Sequence, residues 1–352
     1  MAKELLKGNV AAAEAAVRAG MNFFAGYPIT PSTEILEYLS SRLPEVDRSF
    51  IQAENEVSAI NMIMGAAAVG ARALTASSGP GMSLKASGQS YAARYELPYV
   101  IINVQRWGTG LGSLESGQAD YFRETRGAGH GEYRNLVLAP NSIQELIDMV
   151  YNAWDYAEKY RIGVTILSEA QLGQMMENVE LPEFKSRTED LDWGLDGTGD
   201  KGLMLASGQQ GPTQAWEIMK RYNEIEENEQ QWESLFTDDA ETVFVAFGLP
   251  SRSTEGMVRQ MRWKGDKVGL IRPKTLWPFP VKAFEECRNA KRFISVETNT
   301  MGEMVEDVAL SVKKLHIDAD VYCYAYGPGV PQVKQLIEEY RAILDDERKV
   351  WF

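Results

Sequence analysis

Cysteine and histidine are scarce. The 352-residue chain has two of each, Cys287 and Cys323, His130 and His316. Two thiols fall short of the four thiolates that an iron–sulfur cluster ordinarily takes, and two distant histidines do not make a zinc site. Both cysteines stand among apolar neighbours and read as small hydrophobes. The expectation is no metal centre on this chain, with any electron carriers elsewhere. Long apolar runs are also missing. No run reaches the ~18 residues of a membrane span, and the start, Met-Ala-Lys-Glu-Leu-Leu-Lys, has no apolar h-region, so a cytoplasmic protein away from membranes is expected. Positive charge is in deficit. A formal net charge of -14 without a Lys/Arg cluster argues against nucleic acid and leaves basic partner subunits open. Repeats and low-complexity tracts are absent. Gly-Thr-Gly-Asp at 197–200 has no preceding strand and no following Lys-Ser or Lys-Thr, so it reads as a loop.

What is present is an alternation of short apolar runs and helical patterns. Asn9 is placed to cap a helix over Val10–Arg18 that Gly20 ends. Strands are expected at 21–25, 49–53, 72–77, 99–104, 136–139 and 162–168. Between them come helices from Thr33, Glu54, Met82 and, through a Ser142/Glu145 capping box, the segment up to Tyr160. This predicts an α/β fold with a parallel sheet covered on both faces. Regularity fades from about Leu181 to Thr237, where one polar helix, Thr213–Glu229, interrupts a Gly-rich stretch. Strands at 243–247, 267–271, 292–296 and 320–324, with helices from about Ser251, Val281, Met301 and Val330, predict a second, smaller parallel sheet. The division is 1–185, an irregular linker or insertion 186–240, and 241–352.

Chemistry-bearing residues fall just past strand ends, where the loops of such sheets line one crevice. Gly26-Tyr27-Pro28-Ile29-Thr30-Pro31-Ser32 joins a buried strand to a helix. Thr30 or Ser32 is suited to cap it, and Pro31 has φ pre-set for a first turn, giving an anion site with free N–H groups and a hydroxyl. Glu54 and Glu56 open the next helix, as dipole partners or as working acids. Ser78-Gly79-Pro80-Gly81 is either a tight turn or a close backbone approach. Arg106 follows a buried strand, and a buried guanidinium needs an anion. Ser168-Glu169 closes the set.

Tyr27–Ser32, Ser78–Gly81 and Leu270-Ile271-Arg272-Pro273-Lys274-Thr275-Leu276-Trp277-Pro278-Phe279-Pro280, in this order, carry a resemblance that covers nearly the whole chain. The sequence resembles the α subunit of 2-oxoacid:ferredoxin oxidoreductases, thiamine diphosphate enzymes that oxidatively decarboxylate 2-oxo acids to acyl-CoA. The likeness is greatest to the 2-oxoisovalerate (branched-chain) branch, at Gln118–Phe122 and Gly129–Arg134. It implies a Rossmann-like pyrimidine-binding domain followed by a transketolase C-terminal-like domain. It also implies that a helix-start glutamate hydrogen-bonds N1′ of the cofactor's aminopyrimidine, favouring the imino tautomer. In the family that Glu stands nine residues before a helix Gly; Glu56 with Gly65 matches, and Glu54 is the reserve. Thr30 and Arg106 match the positions that hold the substrate carboxylate, with Tyr27 beside them. Pro28, Ser78, Gly79, Pro80 and Gly81 would cover the cofactor.

One departure stands out: where the family often has two glycines after the Arg, this chain has Trp107-Gly108-Thr109. A Trp wall beside the substrate suggests branched or aromatic 2-oxo acids. Against this, Arg123 or Arg126 serving a distal carboxylate would mark the 2-oxoglutarate branch, and a non-catalytic scaffold is the rival from another class. His130 has no assigned role beyond a loop residue bonded to backbone. Glu297, Asn299 and Gly302 read as subunit contact. A Gly-Asp-Gly diphosphate and Mg2+ motif is absent. The resemblance therefore implies a β subunit bringing Mg2+, the diphosphate site and a [4Fe-4S] cluster, together with a γ subunit and a ferredoxin-like δ subunit. External ferredoxin would be the acceptor, with NAD the alternative through added subunits, coenzyme A would be the cosubstrate, and this subunit would be inactive alone.

Overall fold

Apolar runs flanked by glycine-rich turns become strands buried on both faces, and the patterned segments between them become covering helices. The computed structural model describes residues 3–186, 191, 193–198, 212–345, 348 and 351. Its strands are β1 Glu4–Lys7, β2 Phe23–Gly26, β3 Ser49–Gln52, β4 Ala73–Ser77, β5 Tyr99–Gln105, β6 Leu136–Leu138, β7 Gly163–Glu169, β8 Met176–Val179, β9 Trp232–Leu235, β10 Thr242–Val245, β11 Val268–Pro273, β12 Thr275–Trp277, β13 Arg292–Glu297 and β14 Asp320–Ala325. The α-helices are α1 Gly8–Arg18, α2 Thr33–Glu45, α3 Glu56–Ala68, α4 Pro80–Arg94, α5 Tyr121–Arg126, α6 Ile143–Tyr160, α7 Ala170–Gln174, α8 Pro212–Asn228, α9 Gly248–Trp263, α10 Met304–Lys314 and α11 Val333–Leu344.

Among the described residues the larger sheet has the order β12-β6-β7-β5-β4-β2-β3 and the smaller β14-β13-β10-β11-β9. Both are parallel except at one edge, where β12 runs antiparallel to β6 and β9 antiparallel to β11. The α/β class expected from the sequence is the class observed. The edges differ from expectation. β12 lies within the Leu270–Pro280 motif of the second unit yet completes the first sheet, and β9 leaves the irregular connection to extend the second. A short β1–β8 pair was not foreseen, because its polar residues lack strand periodicity.

Four local expectations change. Asn9 lies inside α1 rather than at its cap, its amide donating to the Pro31 carbonyl (2.7 Å) and to Glu34 (2.9 Å). Pro31 stands before α2 and not in its first turn; Ser32 occupies the cap position but its hydroxyl donates to the Ile29 carbonyl. Ser142 does accept the Glu145 N–H, but Glu145 reaches the Asn141 N–H and Arg272 instead of closing the box. The segment from Val281 is a 3-10 helix, Val281–Cys287. Of the 197–200 loop, Gly199 and Asp200 lie outside the described residues, and Thr198 bonds Asp196 locally.

The core between the first sheet and α1, α2 and α6 continues without a break into Val243, Phe247, Ile271 and Phe293 of the second unit. Cys287 is buried in it, as the sequence suggested for both thiols. The opposite face of the first sheet packs under α3 and α4 through Ile60, Ile63, Met82, Tyr99 and Ile101. That second face leads to the candidate site.

Candidate active site

Asn55 caps α3 by accepting the Ser58 N–H (2.8 Å), which makes Glu56 the first helical residue. Glu56 is buried at 5% exposure, whereas Glu54 points outward to solvent. Beyond β4, Ser77 and Ser78 are fully buried, and Gly79 turns the chain with φ 46 and ψ -120 so that Pro80 opens α4. Only glycine adopts that backbone readily. Arg106 leaves β5 and is buried.

These strand ends meet. A Cβ on Gly81 would stand 2.3 Å from Ser77 Oγ and 2.6 Å from Glu56 Oε1, and a Cβ on Gly79 would stand 2.6 Å from Arg106 Nε. The same guanidinium donates from Nη1 to the Thr30 carbonyl at 2.9 Å. Thr30, Arg106, the Gly79–Gly81 turn, Ser77 and Glu56 thus form one contiguous region built from four strand ends, those of β2, β3, β4 and β5. Arg106 Nε and Nη2, Ser77 Oγ and Ser78 Oγ are buried without a hydrogen-bond partner. Buried donors left open in this way are rare and suit a site that receives its partner from outside.

The remaining candidates are less uniform. Thr30 is exposed and joins Arg106 through its carbonyl, not its hydroxyl. It also borders an open cleft of ≈ 490 Å3 on the α2 side, shared with Pro31, Glu34, Leu114, Ser116 and Gln174. Tyr27 is 39% exposed and Pro28 half-buried at the same turn. Trp107 follows Arg106 directly and packs on its own loop. Its N–H donates to the Glu115 carbonyl, its carbonyl accepts from the Ser113 N–H, and Gly117 is tight against its side chain. His130 is exposed; the backbone bond is made by its own N–H, to Ser90 Oγ, rather than by the ring. Arg123 is committed to Glu124, the Met82 carbonyl and Gln89, and Arg126 to Asp307 of α10 at 2.9 Å.

Glu297 overturns its reading as subunit contact. It is fully buried and accepts from Ser295, Asn299 and the N–H groups of Glu303, Met304 and Val305, an internal anion at the start of α10. Asn299 in turn accepts the Gly302 N–H. Three residues have parts that the sequence did not suggest for them. Gln118 bridges the units, its amide bonding Glu169, the Phe247 carbonyl and the Thr298 N–H. Glu169, the end of β7, faces the start of α9 and accepts from Leu249 N–H, Gln118 and Ser116; burial pushes its carboxyl up to about 7 against those donors. Lys85 of α4 is fully buried. The signal for it lay in Gly81-x-x-x-Lys85-x-x-Gly88, which puts the lysine on the close-packing face of its helix. Among the described residues no cluster of His, Cys, Asp and Glu is suited to a metal ion, and no helix is long and apolar enough to cross a membrane.

Comparison with known proteins gives this arrangement a family. Residues 14–236 match the family model "Pyruvate flavodoxin/ferredoxin oxidoreductase, thiamine diP-bdg", and residues 240–336 match "Pyruvate:ferredoxin oxidoreductase core domain II". The ketoisovalerate oxidoreductase subunit VorB of Methanothermobacter marburgensis is 44% identical over 88% of this chain and 90% of its own length. The chain belongs to the 2-oxoacid:ferredoxin oxidoreductase family. The 2-oxoglutarate synthase subunit KorA of Methanocaldococcus jannaschii is 35% identical over 89% of this chain and 93% of its own. Among solved structures, the 2-oxoglutarate:ferredoxin oxidoreductase of Magnetococcus marinus, with 2-oxoglutarate, coenzyme A and succinyl-CoA bound, superposes with a TM-score of 0.82 at 23% identity, over 96% of this chain and 65% of that one. That likeness is one of fold. Within the family's thiamine diphosphate-binding domain, a buried carboxylate at a helix start beside orphaned cationic donors fits the pyrimidine half of the cofactor together with an anionic substrate.

Proposed function

We propose that this chain is the α subunit of a cytoplasmic 2-oxoacid:ferredoxin oxidoreductase of the branched-chain type, and that it supplies the pyrimidine and substrate half of a shared site. Thiamine diphosphate, when bound, supplies the nucleophilic carbon and the electron sink for loss of CO2. Glu56 holds the proton at N1′ from the start of α3, a charge-assisted bond sheltered from water. The turn Ser78–Gly81, with Pro28 opposite, excludes solvent from the ring. Arg106 directs its open Nε and Nη2 donors at the 2-oxo acid carboxylate, with Thr30 beside it. Tyr27 and Trp107 flank the substrate side chain. Partner subunits (β, γ and a ferredoxin-like δ) bring Mg2+, the diphosphate site and [4Fe-4S] clusters; coenzyme A takes the acyl group and external ferredoxin the electrons.

The observation that carries this reading is that Arg106 and Glu56 lie against the two ends of one three-residue turn, Gly79-Pro80-Gly81. Engagement of Arg123 and Arg126 by Glu124 and Asp307 favours the branched-chain branch over 2-oxoglutarate, since both guanidiniums already carry a carboxylate partner within this chain. Glu56→Gln in the assembled enzyme is the test. Loss of activity by about 100-fold or more with assembly intact is expected for a residue of this kind; retained activity would leave a docking scaffold as the better description.

A further inference from the structure

Lys85 is the largest anomaly in this part of the molecule. Its side chain is fully buried, and its ammonium has no hydrogen-bond partner. Removing an ammonium from water is costly and is tolerated only beside compensating charge. The placement says which charge. On α4, Gly81 lies against Glu56 and Gly88 against Ile60, so the α3-facing side of α4 runs through Gly81, Lys85 and Gly88. Glu56 and Ile60 are one turn apart on α3, and Lys85 falls between the two glycines. Glu56 is the carboxylate whose charge acts on it: burial lowers the ammonium to about 8 even with Glu56 drawing it upward. Arg123 of α5, the cation that reaches α4 from outside, is taken by Glu124 and by the Met82 carbonyl and Gln89 of α4.

Glu56, for its part, is buried, accepts no hydrogen bond from any described residue, and makes no ion pair. A carboxylate with nothing to hold it at the first position of a helix would turn toward water. A fixed cation behind it keeps it inside, and does so without occupying the oxygen that must face the cofactor.

We propose that Lys85 is a positioning residue, a buried counter-charge that holds the Glu56 carboxylate in the cleft and aimed at the cofactor ring. This rests on the role given to Glu56 above. It assigns Lys85 no contact with substrate or cofactor.

The test is a double-mutant cycle in the enzyme assembled with its partner subunits, read by thiamine diphosphate Kd as well as by kcat and substrate KM. Lys85→Met keeps the length and loses the charge. It is expected to weaken cofactor binding and lower kcat by about tenfold, as loss of one unscreened charge contact would. Substrate KM should stay unchanged, because Lys85 makes no contact with substrate. In the Glu56→Gln background the same change should have no further effect on Kd. Should Lys85→Met misfold, Lys85→Gln is put through the same cycle. Unchanged Kd in Lys85→Met, or an equal loss with and without the Glu56 carboxylate, overturns the proposal. If Glu56→Gln alone leaves Kd unaltered, the role of Glu56 has failed instead, and the two failures are told apart.

Discussion

Gly79 and Arg106 are in direct contact: the space for a Cβ on the glycine is taken by the guanidinium, 2.6 Å from Nε and 2.9 Å from Nη2. The turn and the cation therefore define each other's position. Gly79→Ala is expected to be damaging twice over. Its φ of 46 with ψ -120 strains any L-residue, at on the order of 1–3 kcal/mol. The methyl also pushes Arg106 from its place, raising KM for a 2-oxo acid by about tenfold or more. Steady-state kinetics with a thermal melt separates the two effects; normal KM would detach Arg106 from substrate binding.

Gly81→Ala makes the matching case at the other end of the turn. Its methyl meets Ser77 Oγ and Glu56 Oε1, so the carboxylate must move. Cofactor binding is expected to weaken by about tenfold, while substrate saturation changes little. Calorimetric titration of the assembled enzyme with thiamine diphosphate reads this directly.

Trp107 tests substrate preference. Trp107→Gly removes the apolar wall beside Arg106, and kcat/KM for branched and aromatic 2-oxo acids is expected to fall about tenfold relative to small ones. Ratios that stay the same across the series would remove Trp107 from specificity.

Glu169 gives a pH prediction with a definite sign. Burial raises its carboxyl from 4.5 to about 7, so the folded protein binds that proton more tightly than the unfolded chain. Its contribution is complete below 4.5 and is lost as pH rises through 7. Glu169→Gln ends this titration and leaves an oxygen for the Leu249 and Gln118 donors. The variant should gain stability over wild type with rising pH, by roughly 3 kcal/mol between the two limits. Urea unfolding at several pH values measures it; parallel curves for the two proteins would refute it.

Arg272 fastens the units together. It is 4% exposed and grips Glu145 of α6 through two 2.8 Å bonds, with Glu233 on its Nε. Arg272→Met leaves Glu145 half its compensation, with Lys274 remaining, and should cost about 3 kcal/mol. Denaturant midpoints provide the check.

Strand tips were legible in the sequence because runs such as Tyr99–Val104 allow only a doubly covered strand, and a residue after such a run has nowhere to go but the crevice. Arg106 and Glu56 were singled out on that argument, and both are buried beside the Gly79–Gly81 turn. Family motif spacing favoured Glu56 over Glu54, and the structure divides the two at the Asn55 cap: Glu56 is the first helical residue and buried, Glu54 precedes the cap and is exposed. β12 was not legible, since Thr275-Leu276-Trp277 carries too little pattern to say which sheet it joins. Lys85 was missed because charge reads as surface unless the whole helix face is weighed. Asn9 and Glu297 were misread for one reason: their partners, Pro31, Glu34 and the α10 N–H groups, are fixed by tertiary packing and not by neighbours in sequence.

The β12 crossover has a consequence for how the molecule comes into being. Until Thr275–Trp277 has been synthesised, the rim of the larger sheet at Leu136–Leu138 has no neighbour on one side, and its carbonyls and amides lie open to any extended chain nearby. The amino-terminal portion is thus no freestanding module that could be cut out and kept: the cofactor half is finished only by a strip of peptide borrowed from its successor.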